Sequence, residues 1–132
     1  MKYKILYVKK DPFGAPACKI GITGHPEVRL GVYQNSYYHG SHTATFDHVF
    51  VGNPKNINNL EKTLKQQFGL AIQKEGRGHS EWVSEPVETV LKQISDTIEG
   101  YRFNAFCLNE PVTVYNLEHA LNRCEQIMED NG

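Results

Sequence analysis

Four side chains in the first half of the chain could together act on a phosphodiester: Tyr7, Lys19, Arg29 and Glu61. Such hydrolysis needs an activated water, stabilised charge on the phosphoryl oxygens and help for the leaving group. A divalent metal can supply the last two through one protein carboxylate, with waters and phosphate oxygen filling its remaining positions. Glu61 is the candidate carboxylate. The guanidinium of Arg29 offers a planar fork of donors to a phosphate. The phenol of Tyr7, with a normal pKa of about 10, is a poor base until cations lower that value. Lys19 is one such cation, or is itself the base if its pKa is depressed. Tyr33, one helical turn beyond Arg29, either adds a phosphate contact or packs. Gly21 carries no side chain, so a phosphate or a crossing helix can approach its strand. Plainer roles exist for each. Glu61 could pair with Lys65 on a solvated helix face, an arrangement worth only ~0.3–0.5 kcal/mol. Arg29 could be a surface arginine, and Tyr7 a strand tyrosine packed on a helix.

These residues must be positioned by recognisable elements. Tyr3 to Lys9 alternates, with Tyr3, Ile5 and Tyr7 on one side and Lys4, Leu6 and Val8 on the other, which predicts a strand covered on both faces. Asp11-Pro12-Phe13-Gly14-Ala15-Pro16 reads as a turn. Ala17 to Thr23 is a second strand, with Lys19, Gly21 and Thr23 on one face, so a hairpin is expected. Pro26 suits the first position of a helix ending near Asn35, in which Arg29 and Tyr33 share a face. Thr45 to Val51 alternates again and predicts a third strand. The clearest helix is Asn56 to Phe68, whose stripe is Ile57, Leu60, Leu64 and Phe68 and whose stop is Gly69. Glu61 falls at the edge of that stripe. Ala71 to Ser80 reads as a polar loop, Glu81-Trp82-Val83 as a short extended piece, and Pro86 to Gly100 as a helix. As the single tryptophan of a small domain, Trp82 is expected in the core rather than as a platform for a base.

The ordered pieces Ile5-Leu6-Tyr7-Val8, Lys19-Ile20-Gly21-Ile22-Thr23, His25-Pro26-Glu27-Val28-Arg29-Leu30, the Glu61 helix and Glu81-Trp82-Val83 resemble the GIY-YIG nuclease superfamily. The likeness is to a divergent, phage-rich branch whose second motif reads KIG, and it covers residues 3 to 84. It implies a nuclease site made of Tyr7, Lys19, Arg29 and Glu61, with Glu61 the sole protein ligand of a magnesium or manganese ion. Lys19 stands where the family usually has its second tyrosine, which leaves the general base open between Tyr7 and Lys19.

Composition bounds the remainder. The 132 residues suffice for one ordinary core, and no apolar stretch approaches the ~18 residues of a membrane helix. The N-terminus enters a strand pattern directly, so the expectation is a cytoplasmic protein without a signal peptide, in the host cytoplasm if phage encoded. Cys18, Cys107 and Cys124 are far apart and form neither a disulfide framework nor a zinc ribbon. His39 and His42 read as loop residues rather than zinc ligands. The formal charge is +4 over residues 1–42, +1 over 43–84 and −6 over 85–132. A polyanion would therefore meet the basic first part, where Lys9 and Lys10 are expected to touch it. The last thirty residues lie outside the resemblance. They hold a strand at Val112 to Tyr115 and a helix from Leu117 to about Met128, bearing Glu118, Glu125, Glu129 and Asp130.

The expected fold is thus a small α/β domain: a three-stranded, mainly antiparallel sheet flanked by helices. Residues 1–100 would form the nuclease-like domain and residues 101–132 a strand–helix extension packed on it. The expected function is a metal-dependent DNA endonuclease of a phage or mobile element. The alternative is an inactive DNA-binding or protein-interaction module, in which the acidic end binds a basic protein or a homodimer forms.

Overall fold

The computed structural model describes residues 2–11, 13–34, 45–69 and 80–131, except for the side chains of residues 32–34, 80 and 81. The elements run β1 (Lys4–Lys10), β2 (Cys18–Thr23), α1 (Pro26–Gln34), β3 (Thr45–Phe46), β4 (His48–Gly52) and α2 (Pro54–Gln67). They continue with β5 (Ser80–Val83), α3 (Val87–Tyr101), β6 (Ala105–Cys107), β7 (Val112–Thr113) and α4 (Leu117–Asn131). The expected antiparallel sheet with flanking helices is present. Among the described residues the sheet has five strands rather than three, in the order β5-β2-β1-β4-β6. The extra strands are the edges. β5 is the short Glu-Trp-Val piece, and β6 is too brief to carry an alternation that sequence could reveal.

The stretch expected as one third strand is split at Asp47. Its first part, β3, leaves the main sheet and pairs with β7 as a separate two-stranded ribbon. Asp47 explains the break: its backbone N–H still donates to Val8 O at 2.9 Å, while its carboxylate accepts the Lys10 N–H at 2.8 Å. The other elements follow their local signals. Asn53 caps α2 by accepting the Asn56 N–H at 2.8 Å, with Pro54 at the position where its missing N–H costs nothing. α3 ends at Arg102 in the left-handed region, φ 57°.

Because strand side chains alternate between faces, the sheet carries two separate cores. Leu6, Val8, Cys18, Ile20 and Phe50 meet Ile57, Leu60 and Leu64 of α2 and Val90 and Ile94 of α3. On the opposite face, Ile5, Tyr7, Val49 and Val51 meet Leu30 of α1, Phe46, Val112, and Ala120, Cys124 and Met128 of α4. The C-terminal helix is therefore part of the same hydrophobic core as Tyr7. No described helix is long and apolar enough to cross a membrane.

Candidate functional site

The β1–β2 register builds the centre of the site. Tyr7 stands opposite Gly21, and Lys9 opposite Lys19. One strand further on, Lys19 stands opposite Trp82 and Gly21 opposite Ser80. Directly opposed residues project to the same face with their Cβ atoms roughly 5 Å apart. Two adjacent rows thus cross three strands, Lys9–Lys19–Trp82 and Tyr7–Gly21–Ser80.

Tyr7 is 1% exposed. Its ring stacks on Phe46 with centroids 4.4 Å apart and planes 22° from parallel, and it lies across the bare backbone of Gly21. A Cβ on Gly21 would run into Tyr7 Oη and Cζ and stand 3.0 Å from Cε1. The glycine of the second motif thus makes room for the tyrosine of the first, rather than for a phosphate.

Lys9 departs from its expected role on the polyanion face. It is 3% exposed, and its Nζ donates to the Thr45 carbonyl at 2.8 Å, tying β3 to β1. Burial pulls the Lys9 ammonium below the usual lysine value, with Asp47 opposing and Lys19 reinforcing that shift. Lys10, on the other face, is exposed. Trp82 departs too: it is not a core residue but 44% exposed, with Lys19 Nζ 5.9 Å from its ring centroid. The physical reason is the edge position of β5, which gives the Trp82 ring a neighbouring strand on one side only.

Arg29 lies on α1 next to Leu30, which enters the Tyr7 core, and its own side chain is partly exposed. The structure thus brings α1 to the sheet face that carries Tyr7, Gly21 and Lys19. The side chains of Tyr33 and Glu81, and all of His39, His42, Arg77 and His79, lie outside the described residues.

Glu61 belongs to the other layer. Its helix packs on the Leu6–Val8 face through Ile57, Leu60 and Leu64. Glu61 itself is 8% exposed, and Lys65, one turn on, is 6% exposed. Glu61 Oε1 stands 3.4 Å from Lys65 Nζ. The i,i+4 pairing foreseen for a solvated face is therefore present, but buried. A carboxylate in that setting needs a compensating cation, since an isolated buried charge is strongly disfavoured. At 3.4 Å the Lys65 ammonium is further away than the roughly 2.7–2.9 Å of a tight charge-assisted hydrogen bond. Lys65 supplies that compensating charge. Among the described residues no group of three or more His, Cys, Asp or Glu gathers to hold a metal. A metal site here would be of the one-carboxylate kind.

The fold is thus an antiparallel α/β domain with Tyr7 laid over Gly21, Lys19 beside them and the Arg29 helix on the same face, while Glu61 lies on the opposite side of the sheet. The chain matches the T5orf172 domain over residues 4–99, well over half its length, and so belongs to the T5orf172 domain family, which is phage-associated. The family shown is T5orf172 and not GIY-YIG itself. No curated protein and no solved structure matches the chain.

Proposed function

We propose that this T5orf172 protein is a metal-dependent endonuclease that hydrolyses DNA phosphodiester bonds for a phage or mobile element. The observation that carries the proposal is the row geometry within the family match: Tyr7 over Gly21, with Lys19 alongside and α1, bearing Arg29, on the same face. In this proposal Arg29 and Lys19 hold the phosphate by charge, and the Tyr7 hydroxyl or the Lys19 amine takes up the proton of the attacking water. Glu61 would hold a magnesium or manganese ion in place of the Lys65 ammonium. When bound, that ion would supply Lewis acidity at a phosphoryl oxygen and stabilise the departing alkoxide. Lys10, exposed at the end of β1, would add positive charge toward the DNA, and Tyr33 would add a phosphate contact one helical turn beyond Arg29.

Supercoiled plasmid incubated with the protein and manganese tests this directly. The expected result is nicking that disappears with EDTA and in Arg29→Ala and Glu61→Gln proteins whose melting curves remain cooperative. A folded wild-type protein that leaves the plasmid intact in magnesium and in manganese would overturn the catalytic proposal.

A second reading has its own observation. Because α2 packs on the face opposite Tyr7, Glu61 is a helix layer away from the lysine–tyrosine rows. A protein that only binds DNA or a protein partner needs no convergence of the two. Retained DNA binding without any nicking would select that reading.

A further inference from the structure

The Lys9–Lys19–Trp82 row ends in a half-exposed aromatic ring. Trp82 is 44% exposed on the edge strand of the sheet. It shares a face with Lys19, Gly21 and Tyr7, and the Lys19 ammonium stands 5.9 Å from its ring centroid. Neighbouring strands are roughly 4.8 Å apart, so a cation and an indole face lie side by side at the border of the proposed site. A nucleotide presents a complementary pair, an anionic phosphate and a flat base joined through one sugar. Aromatic side chains beside basic grooves hold unpaired bases irrespective of sequence, because every base has a π face.

We propose that Trp82 is a stacking platform for an unpaired nucleobase next to the phosphate that meets Lys19. This rests on the nucleic-acid reading of the same face and adds a substrate class to it. Bases inside a duplex are already stacked on both sides. A lone indole on a sheet edge can stack only on a base that has left the helix or was never in one. The favoured substrate is therefore a single strand, or a branch or flap carrying one.

Trp82 is the single tryptophan, so its fluorescence reports on the platform alone. The full chain in EDTA, where the proposed hydrolysis is off, is titrated with a labelled short oligothymidylate and separately with a duplex of the same length. Label anisotropy gives affinity, and indole emission gives stacking. The single strand should quench Trp82 with the same midpoint as the anisotropy change. Trp82→Ala should weaken single-strand binding about 5- to 150-fold, the range expected for one lost stack, and change duplex binding little. Trp82→Phe, which keeps an aromatic face, should recover most of the loss.

Binding without quenching, or equal affinity of the wild-type and Trp82→Ala proteins for the single strand, would overturn the platform. So would absence of any oligonucleotide binding. The two proposals fail separately. Quenching by a protein that never nicks DNA keeps the platform and removes the nuclease. Nicking by a protein whose tryptophan ignores DNA does the reverse.

Discussion

Gly21 shows at the scale of one residue why the hairpin has its sequence. Tyr7 is buried over it and stacked on Phe46, and an added methyl would collide with the phenol. Gly21→Ala should therefore displace Tyr7, costing about 1–3 kcal/mol as an overpacked core does. Thermal melts of Gly21→Ala, Tyr7→Leu and the double variant check this. The double variant should be less destabilised than the sum of the singles, because the smaller side chain removes the clash; strict additivity would mean that the two residues do not interfere. The sequence disclosed this pairing only in part. Motif order brought Tyr7 and Gly21 together, whereas the register that puts one over the other is a property of the folded hairpin. Lys9 was legible in principle, since its alternation places it with Ile5 and Tyr7 on a covered face. Its charge argued for the surface, and the Thr45 carbonyl that makes burial tolerable sits on a distant segment. Glu61 likewise stood at the edge of its stripe in sequence, while its burial beside Lys65 depends on what covers the helix.

Among the elements, α1, α2 and α3 could be read from proline starts, caps and 3.6-residue stripes, because those signals are local. The edge strands could not. β5 and β6 are too short to show alternation, and Trp82 was expected in the core because sequence does not reveal which strand lies at an edge. The C-terminal helix combines two roles: its acids face solvent, while Ala120, Cys124 and Met128 are buried in the Tyr7 core. Charge and packing on α4 are thus separable. Met128→Ala should cost about 2–5 kcal/mol of stability, measurable by urea denaturation. Exchanging the exposed Glu118, Glu125 and Glu129 for glutamine should leave stability within about 0.5 kcal/mol and tighten DNA binding at low salt. An unchanged affinity would show that the acidic helix lies outside the electrostatic reach of the bound phosphates, which is roughly 30 Å at about 0.01 M salt.

Across the whole molecule the two cores each hold one thiol, Cys18 on β2 beneath α2 and α3 and Cys124 on the buried side of α4. Burial pushes both thiols up from 9.0 to about 11. Burial also moves the Tyr3 phenol from 10.0 up to about 12. A pKa raised by folding means that the native state favours the protonated form. Its contribution is full below the unfolded value and is lost as pH rises through the folded one. The melting temperature should accordingly hold up to about pH 9 and fall between about 9 and 11, in both cores together. A Cys18→Ala, Cys124→Ala protein should keep its stability further into alkali, until Tyr3 titrates. A melt that falls equally early in that variant would place the alkaline sensitivity elsewhere. The claim on which the account chiefly depends is that Glu61, now facing Lys65, is where a catalytic ion binds. Anomalous diffraction from manganese-soaked crystals tests it most directly. The account predicts a manganese peak on the Glu61 carboxylate, with the Lys65 ammonium moved aside. A Glu61–Lys65 pair left intact, with no manganese on that carboxylate, would contradict it.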